Sequence, residues 1–202
     1  MEKNQNIYKT IKTATTAVLF KERNSKFLGY AYPVQQETDI KQLLDTLRTE
    51  HSGANHVCYA WQLGVGETSY RVNDDGEPSH SAGTPIYGQI QAFELTNILV
   101  AVVRYFGGTK LGVGGLVSAY RTTAQMTLTE AKVVRKKLMA TLFLEFDYFS
   151  MNKVMQIVKK HSLLIVSQTM EMRCKLHLSV PKSDLQKIKG KFEAIQQVLV
   201  KE

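Results

Sequence analysis

Three carboxylates, Asp74, Asp75 and Glu77, fall within the short segment DDGEP. Oxygen donors so close together could hold Mg²⁺ or Ca²⁺. The spacing does not match the calcium-loop pattern, in which ligands recur at every second residue and a glutamate closes the loop. Asp-Gly followed by Glu-Pro is also turn chemistry, with side chains that satisfy nearby backbone. The turn reading outweighs the metal reading, so no metal and no cofactor are expected. The carboxylates have a third use, pairing with Arg71, Arg104 or Lys110 where the fold brings these together.

A second cluster is the segment FGGTKLGVGG, Phe106 to Gly115. An apolar strand feeding a helix through glycines exposes backbone N–H groups and a helix N-terminus, which attract phosphate or carboxylate. Arg104, Gly107, Gly108, Lys110 and Gly112 are the candidates there. The order excludes known nucleotide fingerprints, because Lys110 follows threonine rather than glycine and no GxGxxG is present. Glycines also serve close packing and positive φ. Five in nine residues exceed what one tight turn requires, which favours a ligand role over hydrolysis of a nucleotide.

His51, His56 and His80, with Ser79, Ser81 and Thr84, spell a Ser/His/Asp set only by letter. No GxSxG elbow accompanies them, so no catalytic residue is assigned. Tyr105 and Phe106 beside Arg104 would suit stacking on unpaired bases if exposed. Most aromatics in such strands are core. Cys58 and Cys174 form no framework, and Cys58 within VCYAW reads as a small buried hydrophobe.

These residues need a scaffold. Thr15–Phe20 and Lys26–Pro33 read as a hairpin, and 38–50 as a helix with Thr38 or Asp39 as cap. His56–Leu63 and Thr68–Val72 read as two strands, and Pro85 can open a helix. Thr96–Tyr105 is nearly all apolar and β-branched, a strand buried on both faces. A helix is expected over Leu116–Val133. From Leu138 the pattern runs strand, helix, strand, strand, helix, strand, the split βαβ order of ferredoxin-like domains. The expected class is α+β, with domains at 1–135 and 136–202.

The chain has 202 residues and a net charge of +8. Residues 1–135 carry 14 Lys/Arg and 12 Asp/Glu, whereas 136–202 carry 12 and 6. The surplus in the last third raises the chance of a polyanionic partner such as RNA. Solvated lysine on amphipathic helices explains it somewhat better for that segment by itself, since no aromatic stacking motif accompanies it. No signal peptide or membrane span is visible, so a soluble cytoplasmic protein is expected.

DDGEPSHSAGTPI followed by LTNILVAVVRYFGGTKLGVGGLVSAY resembles the IMPACT family of bacterial and eukaryotic proteins. The resemblance extends upstream through HVCYAW and SKFLGYAYPV, covering most of 15–135. It implies an N-terminal domain like the second domain of a small-subunit ribosomal protein. It also implies a C-terminal ferredoxin-like domain similar to one in elongation factor G. Eukaryotic relatives are translational regulators, acting through a partner that activates a stress kinase; nucleic-acid binding is the usual proposal for bacterial members. The family carries over a motif surface: Asp74, Asp75, Glu77, Arg104, Gly107, Gly108, Lys110 and Gly112. Two departures stand out. His80 replaces a usual glycine, and Ser118 and Arg121 replace an arginine before Ala119-Tyr120 and a glycine after it.

Three functions follow as expectations. One is a non-catalytic, translation-associated regulator that binds RNA or the ribosome. Another is a small-molecule or phosphate-ligand enzyme using the Asp74–Glu77 loop and the Gly107–Gly115 turn. The last is a protein-interaction module.

Overall fold

The computed structural model describes residues 6–201. They fall into two compact units, Tyr8–Lys136 and a second made of residues 137–201 with residues 6 and 7. The α+β class is observed. No described helix is long and apolar enough to cross a membrane.

Apart from the end residues Ile7 and Lys137 of its outer strands, the first unit contains β1 (Ile7–Ile11), β2 (Val18–Glu22), β3 (Ser25–Pro33), α1 (Glu37–Glu50), β4 (His56–Leu63) and β5 (Ser69–Asn73). It continues through α2 (Gly83–Ala92), β6 (Ile98–Tyr105), α3 (Gly112–Glu130) and β7 (Val133–Lys137). Five strands form a sheet in the order β2-β3-β6-β4-β5, and β1 pairs with β7. The order makes β6 the central strand, paired antiparallel with β3 and β4.

That position explains its composition. Ile98, Val100 and Val102 pack into the core with α2 and α3, while Leu99, Ala101 and Val103 join Ile40, Leu44 and Leu47 of α1. Successive strand residues point to opposite faces, so a strand covered by helices on both sides must be apolar throughout. The next-to-last residue of the strand is Arg104, a buried charge, and after Tyr105 the chain passes to the glycine segment.

Three local expectations are corrected. α1 begins at Glu37 with Gln36 as its cap; Asp39 instead reaches back to accept the Gln35 and Gln36 N–H groups at 3.0 and 3.3 Å. Those bonds hold its carboxyl below the usual range. α3 begins at Gly112, so Gly112, Gly114 and Gly115 form its first turn rather than a loop before it. It ends at Glu130, because Val133 is taken into β7.

The second unit contains β8 (Met139–Phe146), α4 (Met151–Lys160), β9 (Leu164–Met170), β10 (Cys174–Pro181), α5 (Leu185–Glu193) and β11 (Leu199–Lys201). Its antiparallel sheet has the order β11-β8-β10-β9, the ferredoxin-like arrangement. Leu142, Leu144, Phe146, Leu176 and Leu178 pack with Val154 and Val158 of α4 and Ile188 and Phe192 of α5. One face of the sheet is thereby covered.

Candidate functional site

β4 and β6 pair so that His56 lies opposite Arg104. The loop after β5 returns over this end of the sheet, and the first turn of α3 closes the other side. Between them lies a cleft of about 490 Å³, lined by Glu77, Arg104, His56, Phe106, Lys110 and the start of α3.

Its floor is a buried ion pair. Arg104 Nη1 donates to Glu77 Oε1 at 2.6 Å, and the two side chains are 6% and 4% exposed. Tyr120, from α3, donates its hydroxyl to the same oxygen at 2.7 Å. The Cys58 thiol donates to the Asp74 carbonyl oxygen at 3.0 Å, and its sulfur lies 3.3 Å from Tyr120 Oη. Burial pushes both the Cys58 thiol and the Tyr120 phenol up, so neither ionises near neutrality. The result is a connected polar network in a dry place, which rigidifies the end of the sheet. One buried atom, Arg104 Nε, has no hydrogen-bond partner. The Arg104 guanidinium also lies 5.6 Å from the centre of the Phe106 ring.

His56 completes one wall. Its Nδ1 lies 2.7 Å from the Asp75 carbonyl oxygen, which can only accept, so Nδ1 carries the proton. Its Nε2 lies 3.9 Å from Glu77 Oε1. Asn55 accepts the Phe106 N–H at 2.8 Å and fixes the chain as it leaves β6.

The three carboxylates of DDGEP separate. Only Glu77 reaches the cleft. Asp74 Oδ1 accepts the N–H groups of Ala82 and Gly83 at 2.9 and 2.8 Å, anchoring the start of α2, and its Oδ2 accepts His80 N–H at 2.8 Å. Asp75 Oδ2 accepts Val57 N–H at 2.7 Å, and its Oδ1 lies 3.6 Å from Arg48. Among the described residues no group of three or more His, Cys, Asp or Glu could hold a metal ion.

The glycines separate as well. Gly112 lines the cleft, but Gly107 is there for packing: a Cβ would collide with the Asn24 backbone. Gly108 has φ +86° and open space around it. Lys110 is exposed at the rim. His80 has φ +64°, in the left-handed region that glycine enters without strain. That backbone accounts for glycine at this place in the resembling family. Here the Asp74 and Thr84 contacts hold the histidine instead.

Sequence reasoning did not find His56 or Tyr120 as site residues. His56 was detectable only through its register opposite Arg104, and Tyr120 only through the rotation of α3. Arg71, one of the possible partners of the carboxylates, instead lines a separate hollow beside α1.

Residues 23–128 match the family model described as the Impact N-terminal domain. The chain is 34% identical over 180 residues to an IMPACT family member of Haemophilus influenzae, covering 85% of each chain. It is 32% identical over 158 residues to IMPACT family member YvyE of Bacillus subtilis, covering 78% of this chain and 72% of that one. A crystal structure of a hypothetical protein superimposes with a TM-score of 0.77 over 96% of both chains at 23% identity, a likeness of fold.

Proposed function

The chain belongs to the IMPACT family, and from that premise we propose that it is a translation-associated regulatory protein that binds RNA or the ribosome without catalysing a reaction. The observation that carries this reading is how the cleft distributes its charges. Its carboxylate, Glu77, is already engaged by Arg104 and Tyr120. What faces solvent is the Lys110 ammonium, the half-exposed Phe106 ring and the glycine-rich start of α3. A cation beside free helix N–H groups suits a phosphate, and an exposed ring beside an arginine suits an unpaired base. The site residues of this reading are Glu77, Arg104, Lys110, Phe106, His56 and Gly112. Asp74, Asp75, Gly107 and Gly108 shape the loops that carry them.

The enzyme expected from the sequence, with Asp75 or Glu77 as acid/base, needs one of these carboxylates free to move a proton in the cleft. Asp74 spends both oxygens on backbone N–H groups elsewhere, and Asp75 spends one on the Val57 N–H with the other beside Arg48. The test is binding of purified small ribosomal subunits and of RNA as salt is varied. Lys110→Ala should lower affinity and flatten the salt dependence by roughly one unit of log–log slope. Phe106→Ala should cost about 1–3 kcal/mol. Undetectable binding at low salt, or full affinity in both variants, refutes the reading.

A further inference from the structure

The face of the C-terminal sheet opposite α4 and α5 carries an arrangement unconnected with the cleft. Antiparallel register places Lys201 opposite Phe143, Phe143 opposite His177, and His177 opposite Ser167, one rung across all four strands. The next rung reads Leu199, Glu145, Lys175 and Thr169. A hollow of about 390 Å³ lies over the two rungs. The Phe143 and His177 rings stack with centroids 4.4 Å apart and planes 25° apart, and Phe143 keeps 45% of its surface exposed. The two rings stand on β8 and β10, the central strands of the sheet.

We propose that this face binds single-stranded nucleic acid, with bases added to the Phe143–His177 stack and the backbone held by Lys175 and Lys201. Four-stranded sheets of this kind recognise unpaired RNA by stacking bases on aromatic rings of the open face. The charges fit a polyanion. Lys175 and Lys201 enter no ion pair among the described residues. Arg173 Nη1 lies 3.3 Å from Glu145 Oε1 and offsets that carboxylate. Ser167 and Thr169 offer hydroxyls that donate to or accept from base edges. A duplex keeps its bases stacked inside and cannot use the rings. Self-association would set lysine against lysine, which the charge opposes. The inference shares its class of partner with the reading of the cleft but not its site.

The test uses the full chain and a labelled single-stranded oligouridylate, followed by fluorescence anisotropy, with duplex RNA of the same length beside it. The single strand should bind more tightly than the duplex. The Phe143→Ala/His177→Ala pair should weaken it by about tenfold or more, and Phe143→Tyr should retain affinity. Lys175→Ala and Lys201→Ala should each flatten the salt slope by about 0.7. Circular dichroism checks that each variant is folded. The cleft variants Lys110→Ala and Phe106→Ala are followed separately, by binding of small ribosomal subunits. Loss of ribosomal-subunit binding in neither cleft variant sinks the earlier reading and leaves this one standing. Unchanged oligouridylate binding in the Phe143→Ala/His177→Ala variant overturns this one, as does no preference for the single strand. A dimer that Phe143→Ala dissolves, seen by sedimentation without RNA, overturns it in favour of a second copy of the chain.

Discussion

Replacing Glu77 by leucine should destabilise the N-terminal unit by about 3–5 kcal/mol, the usual result of leaving a buried charge without its partner. The magnitude follows from the surroundings. Arg104 is 5% exposed and its Nε already lacks a partner. Without Glu77 its remaining side-chain hydrogen bond is to Ser25 Oγ at 3.5 Å, too long to compensate. Tyr120 also loses the acceptor it holds at 2.7 Å. Removing both charges, with Glu77→Leu and Arg104→Met, should cost less than either single change, about 1–2 kcal/mol, because only the Tyr120 hydroxyl is then left unsatisfied. The assay is urea unfolding followed by tryptophan fluorescence. Trp61 is the only tryptophan and is buried in β4, so the signal reports this unit. A single-variant cost under about 1 kcal/mol, or a double-variant cost equal to the sum of the singles, would refute the claim that the pair acts as one unit.

Asp74→Ala removes the acceptor of two N–H groups at the start of α2 and should cost about 1–2 kcal/mol in the same unfolding assay. Because Asp74 lies outside the cleft, ligand affinity should not change at temperatures where the unit is folded; a selective loss of binding would contradict its anchoring role. The tyrosines give a pH prediction. Burial raises the hydroxyl pKa of Tyr30, Tyr87 and Tyr120, and pushes Tyr32 up to about 12. The fold therefore favours the neutral phenol. This stability is complete below the unfolded pKa of about 10 and is lost as pH rises through about 12. Tyrosinate absorbance should show these groups ionising above the ordinary range, together with unfolding. Ionisation of every tyrosine near 10 with the fold intact would refute it.

Periodicity, turn residues and motif order were enough to read the α+β class, the central strand buried on both faces and the ferredoxin-like order of the C-terminal unit. Each depends on local spacing, because side chains alternate along a strand and recur along a helix. The family resemblance implied one motif surface of Asp74, Asp75, Glu77, Arg104, Gly107, Gly108, Lys110 and Gly112. It did not separate Glu77 from Asp74 and Asp75. Three adjacent carboxylates look alike in one dimension, and their duties diverge only when α2, β4 and β6 supply different donors to each. The C-terminal segment showed no stacking motif because Phe143 and His177 are far apart along the chain. They meet because β8 and β10 pair in one particular register. Alternation tells which residues share a face, but register decides which of them touch. Register is set by packing across the whole sheet. Apart from β1, β7 and the ends of α3, the elements and their buried faces were therefore determined by the sequence alone. The buried Arg104–Glu77 pair and the stacked rings of the open sheet were decided only by tertiary structure.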